Sequence, residues 1–202
     1  DLGAAWHWTQ HERVRALVER LGLERVRQHE PGVAVQEWSE DAPVEHFEWP
    51  DSPPPSWRLA GGTQALHEHL AATLPDAALC LRHRLQALRR VGEGVQASAQ
   101  TPDGPRTAAF DAAVLAVPPR LAAHTLQFEP ALPDALAAAL RTTTTWMSPS
   151  AKAAVTYDRP FWREHGLAGR VRSAVGPVHD WHDAVGPDGA AALVGFMHPP
   201  GP

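Results

Sequence analysis

Ala112-Ala113-Val114-Leu115-Ala116-Val117 is apolar at every position and stops at Pro118-Pro119. A strand without polar alternation is buried on both faces, so it needs a layer above and a layer below its sheet. Neither proline can donate to a ladder, so the pair marks its end. The run therefore predicts a central strand over 114–117 inside a layered domain. At 202 residues, the chain is long enough to bury such a core in one domain or two small ones.

The rest of the chain supplies short elements between strong breakers. Thr9 and Glu12 have the spacing of a capping box, which predicts a helix start there. Val14, Leu17, Val18 and Leu21 give that helix one apolar face, and Gly22 suits its left-handed end. Val33 and Val35, then Val44, Phe47 and Trp49, flank Asp41-Ala42-Pro43 and read as a hairpin. Asp51-Ser52-Pro53-Pro54-Pro55 reads as a stiff loop. A short strand, Trp57-Arg58-Leu59-Ala60, runs through Gly61-Gly62 into a helix from Thr63 with Leu66, Leu70 and Leu74 on one face.

Further on, 79–91 reads as one or two strands, 95–100 as a return strand and 106–111 as a third. An Ala/Leu helix covers 133–141, and strands are expected over 151–157, 171–175 and 191–197, with a turn or short helix over 160–166. Short helices mixed with hairpins define an α/β (α+β) class without the regular βαβ alternation of a complete doubly wound domain.

Several chemistries are set aside at this level. No apolar run approaches the ~18 residues that span a bilayer, so no membrane partner is expected. A net charge of −5 argues against a nucleic-acid partner. A single cysteine, Cys80, excludes disulfide frameworks and multi-cysteine metal sites. It reads as a core residue and fits a reducing, cytoplasmic setting. Gly92-Glu93-Gly94-Val95-Gln96-Ala97 matches G-x-G-x-x-A, but polar alternation follows it where a dinucleotide site needs a helix. It reads as a hairpin turn.

The histidines His7 and His11, His67 and His69, and His179 and His182 fit no standard ligand spacing, so no metal is assigned. Arg82, Arg84, Arg89 and Arg90 read as a solvated strand face.

Lys152 stands apart. Of 18 lysine and arginine residues it is the one lysine. It opens the apolar strand Ala153-Ala154-Val155, where desolvation favours the neutral amine and suits proton handling. A lysine at a strand end is also commonly a solvated one.

Taken in order, several segments resemble the flavin-containing amine oxidases, the monoamine and polyamine oxidase family. They are Asp1-Leu2-Gly3-Ala4-Ala5-Trp6, Trp57-Arg58-Leu59-Ala60-Gly61-Gly62, Val114-Leu115-Ala116-Val117-Pro118-Pro119 and Phe128-Glu129-Pro130-Ala131-Leu132-Pro133. Trp146-Met147-Ser148-Pro149-Ser150-Ala151-Lys152 and Tyr157-Asp158-Arg159-Pro160-Phe161-Trp162-Arg163 continue the series.

The resemblance implies FAD as cofactor, a small-molecule amine as substrate and dioxygen as electron acceptor. The reaction would be oxidation of a C–H next to the amine. It makes Lys152 the catalytic lysine, expected to face residues 3–6. It places Gly3, Ala4 and Ala5 near the flavin ring, Leu85, Ala116 and Val117 near the adenosine part, and Trp6 on the substrate side. Residues 1–24 and 58–122 would belong to an FAD-binding part, and 25–57 and 123–202 to a substrate-binding part.

The family's N-terminal G-x-G-x-x-G segment and its C-terminal flavin segment have no counterpart in these residues, so the chain reads as a central portion. By itself it is expected to hold FAD weakly. A non-catalytic binding or interaction domain on the same fold is the alternative.

Overall fold

The computed structural model describes residues 2–48, 54–145 and 147–197. Expectations that fall on Asp1, Trp49, 51–53 and Trp146 lie outside the described residues. The chain packs as two compact units, Asp1–Leu74 with Pro149–Pro202, and Pro75–Ser148. These are packing units. The expected division into FAD and substrate parts concerns ligand contact and remains a proposal.

In the first unit, helix α1 (Glu12–Arg20) follows strand β1 (His7–Trp8). The Thr9 capping box does not form: His11 occupies the N-cap without a side-chain bond. The His11 N–H closes a turn on the Trp8 carbonyl, which draws residues 9 and 10 out of the helix. The far end follows expectation. Gly22 sits at φ +65°, its N–H reaches the Glu19 carbonyl, and the Leu23 N–H reaches that of Val18. This is the Schellman pairing, which favours glycine because only glycine takes that φ without a Cβ clash.

Strands β2 (Arg25–Arg27) and β5 (Ser56–Leu59) join β1 in a sheet of order β1-β5-β2. The expected hairpin forms from β3 (Val33–Glu37) and β4 (Glu45–Phe47), paired antiparallel. Helix α2 (Thr63–Ala72) starts after Gly62 as expected, but it ends before Leu74, which is exposed.

The second unit carries strands β6 (Arg84–Val91), β7 (Gly94–Thr101) and β8 (Gly104–Phe110) as an antiparallel meander. Strand β9 (Gln127–Glu129) adds in parallel to β6. Gly92-Glu93-Gly94 is the β6–β7 turn, as its context implied. Helices α3 (Pro119–Thr125) and α4 (Asp134–Thr142) pack on each other.

The expected central strand over 114–117 is not there: these residues form no ladder, and Val114 is 92% exposed. The chain leaves the sheet at Phe110 and re-enters it only at β9. Three of the six residues from 112 to 117 are alanine, a poor strand former that gains structure only from neighbouring ladders. Cys80, expected in the core, is exposed, because it lies in an irregular segment ahead of β6.

The first unit is completed by strands β10 (Ala151–Tyr157), β11 (Leu167–Ser173), β12 (Val178–Asp183) and β13 (Ala191–Met197), and by helix α5 (Phe161–Glu164). They assemble in the order β10-β13-β12-β11-β3-β4, antiparallel except for β11 with β3. Trp162, Val185 and Ala191 form the buried cluster, with Leu167 and Leu193 against it.

Gly169 lets this cluster close. At φ +66°, a Cβ there would lie 2.6 Å from Trp162 Nε1 and 2.9 Å from the Asp183 Cβ. Gly169→Ala combines left-handed strain with overpacking and is expected to cost about 3 kcal/mol. A thermal melt should show a fall of roughly 6–12 °C.

Candidate active site

β10 and β13 run antiparallel with Lys152 opposite Phe196, so the two side chains share a sheet face. Lys152 Nζ lies 5.1 Å from the Phe196 ring centroid and 5.7 Å from that of Trp6. It donates a hydrogen bond to the Gly3 carbonyl. The lysine therefore faces residues 3–6. Partial burial moves its pKa below the ordinary lysine value, enlarging the neutral fraction at any given pH.

Gly3 and Ala4 are exposed and Ala5 half-buried, with no regular structure. The Thr63 hydroxyl at the start of α2 holds the Ala4 carbonyl at 2.8 Å. The strip beside Lys152 is thus a backbone edge of small residues, tied down at both carbonyls.

Trp6 closes one side of a cavity of about 250 Å³ lined also by Trp8, Gln28, Glu30, Arg170, His182 and Phe196. His182 meets the Trp6 ring edge-on at 5.3 Å, and Phe196 lies 5.9 Å from it. Burial raises the Glu30 pKa, and the charges of Arg170, His182 and Arg27 do not cancel that rise. Burial pushes the Asp180 carboxyl the same way, but the His182 hydrogen bond, with the charges of His182, Arg170 and Arg172, brings it below its ordinary value.

Asp183, next in the chain after His182, is 1% exposed. Its Oδ2 accepts from Trp162 Nε1 at 2.8 Å and Arg163 Nε at 2.7 Å. Its Oδ1 accepts from Arg163 NH2 at 2.7 Å and the Val185 N–H at 3.1 Å. Burial alone would raise its pKa, yet the hydrogen bonds from Arg163, Trp162 and Val185 hold it below the ordinary carboxylate value.

Of the residues expected at the site, Lys152, Gly3, Ala4, Ala5 and Trp6 belong to one unit. Leu85, Ala116 and Val117 belong to the other, with Leu85 half-buried and Ala116 and Val117 exposed. Phe196, Gln28, Glu30 and Asp183 were not singled out from the sequence for this site. Asp183 had a signal there only as part of a histidine-rich segment, and Phe196 only as a member of the expected strand over 191–197.

Among the described residues, no three His, Cys, Asp or Glu side chains gather as metal ligands. Among the same residues, no helix is long and apolar enough to cross a membrane.

A backbone edge of small residues thus lies beside a part-buried lysine, with an aromatic cavity next to it. Residues 44–199 match the sequence profile of the family described as flavin containing amine oxidoreductase. The chain belongs to that family. It is 29% identical over 148 residues to putrescine oxidase from Kocuria rosea, a match spanning 69% of this chain and 30% of that protein.

The fold matches a solved putrescine oxidase with TM-score 0.80 at 16% identity, covering 99% of this chain and 65% of the other. Cyclohexylamine oxidase from Brevibacterium oxydans IH-35A matches with TM-score 0.76 at 16% identity, over 98% of this chain and 64% of the other. The chain thus spans under two thirds of the length of each of these relatives.

Proposed function

We propose that this chain carries the amine-handling part of an FAD-dependent oxidase, which oxidises the C–H next to an amine and passes the electrons to dioxygen. The observation that carries the reading is Lys152, held by the Gly3 carbonyl over the Trp6 and Phe196 rings. The small-residue strip fits the ring end of a flavin, because the exposed backbone at Gly3 and Ala4 presents nothing larger than a methyl group to exclude it. Gly3, Ala4 and Ala5 would hold that ring.

Leu85, Ala116 and Val117 are proposed for the adenosine end on the family resemblance alone. On the same basis, 1–24 and 58–122 serve the cofactor, and 25–57 and 123–202 the substrate. Bound flavin supplies the two-electron acceptor. Lys152 Nζ holds or moves a proton beside it, and Trp6 and Phe196 exclude water from the amine's apolar body.

The pyrophosphate end fits less well. The G-x-G-x-x-A of this chain is a hairpin turn and opens no helix toward a phosphate. Titrating the 202 residues with FAD should therefore give incomplete flavin quenching at equimolar FAD. Stoichiometric quenching would contradict this.

The reading itself is tested by hydrogen peroxide release at saturating FAD. n-Hexylamine should support it and n-hexanol should not. Equal output from both would overturn the amine assignment.

A further inference from the structure

We infer that Gln28 is a positioning residue that fixes the Trp6 indole in the wall of the aromatic cavity. That this cavity takes an amine rests on the reading above. The fixing of Trp6 does not.

Gln28 is 6% exposed and uses both ends of its amide. Its Oε1 accepts from Trp6 Nε1 at 2.7 Å and from Arg58 Nε at 3.1 Å. Its Nε2 donates to the Asp183 carbonyl at 2.8 Å, with a longer contact of 3.4 Å to the His29 carbonyl. The chemistry of these partners fixes the amide's orientation. An indole N–H and a guanidinium can only donate, and a carbonyl can only accept. Turning the amide over would set N–H against N–H and oxygen against oxygen.

The anchor is itself hydrogen-bonded behind Gln28. Arg58 NH2 donates to the Val185 carbonyl at 2.7 Å. Asp183, whose carbonyl receives the Gln28 amide, is gripped through its carboxylate by Arg163 and Trp162. An indole has one N–H, so a single directional bond decides which edge of the ring points inward. The neighbours His182 and Phe196 offer ring faces and edges, which constrain a tryptophan much less sharply. Gln28 therefore transmits the order of the buried Asp183 cluster to the ring that faces the cavity and lies under Lys152.

The test follows indole N–H signals by NMR, with Trp6 assigned through Trp6→Phe. In the wild-type chain the Trp6 N–H should exchange slowly with water. Gln28→Met keeps the length of the side chain and removes its acceptor. It should speed exchange at Trp6 about tenfold, the scale of one lost hydrogen bond. The Trp162 N–H, bonded to Asp183, should remain protected, which separates this effect from general loosening. Half-saturation of the Trp6 signal by n-hexylamine should rise about fivefold on the same scale.

Exchange at the free-indole rate in the wild type would overturn the inference without any variant. So would unchanged protection in Gln28→Met. Protection that depends on Gln28, with no response of the wild-type Trp6 signal to n-hexylamine, would support the positioning and overturn the amine reading of the cavity.

Discussion

Asp183→Ala should lower the stability of the chain by about 3–5 kcal/mol, the usual cost of removing one member of a buried ion pair. The substitution strands the Trp162 Nε1, the Arg163 fork and the Val185 N–H at once. It also leaves Arg58, 3.9 Å from Oδ1, without its nearest counter-charge. Burial already moves the Arg58 pKa down, and Asp183 is the neighbour that opposes this. Urea unfolding, with the slope compared to confirm a native-like fold, measures the loss.

Acid supplies a second readout. Asp183 has a depressed pKa in the folded chain. Its contribution is therefore complete above the ordinary carboxylate range and is lost as pH falls through the folded value. Wild-type stability should drop across that window. Asp183→Asn should start lower and drop less.

The second large effect concerns rate. Lys152→Met should slow amine oxidation by about 10²–10⁴-fold, the range attributed to a positioned proton-transfer group. Its melting temperature should stay near that of the wild type, because Lys152 is only part-buried on edge strand β10. Arginine should not rescue the rate: it stays protonated and presents a planar fork instead of a compact amine. Because the Lys152 pKa is lowered, the neutral amine gains population as pH rises. The wild-type rate should climb through an inflection below the ordinary lysine value, and that limb should vanish in Lys152→Met.

How far the sequence reached depended on the range of the interactions involved. The strands at Ala151–Tyr157 and Ala191–Met197 have the boundaries expected from their patterns, because local breakers frame them. Gly22 was legible for the same reason, its φ being a local requirement. The N-cap at Thr9 failed because the turn from β1 competes for the same residues, a matter of context that spacing does not reveal. The run 112–117 failed because an apolar pattern reports a tendency to be covered but does not supply the cover.

Lys152 could be singled out as a candidate from composition and family likeness together. Gln28 and Asp183 could not. Their hydrogen bond joins positions 155 residues apart, and nothing local marks either as half of a pair. The cavity followed the same rule: Trp6 was expected, while Phe196 entered through the β10–β13 register.

In the proposed function, Lys152 and the aromatic group around it act on an amine beside a flavin. The test mixes the protein, at saturating FAD, with n-hexylamine in the absence of oxygen and follows visible flavin absorbance. The wild type should bleach, and bleaching should be slowed about 10²–10⁴-fold in Lys152→Met, with both proteins equally folded. Equal bleaching rates in the two proteins, or no bleaching by the amine in the wild type, would contradict it.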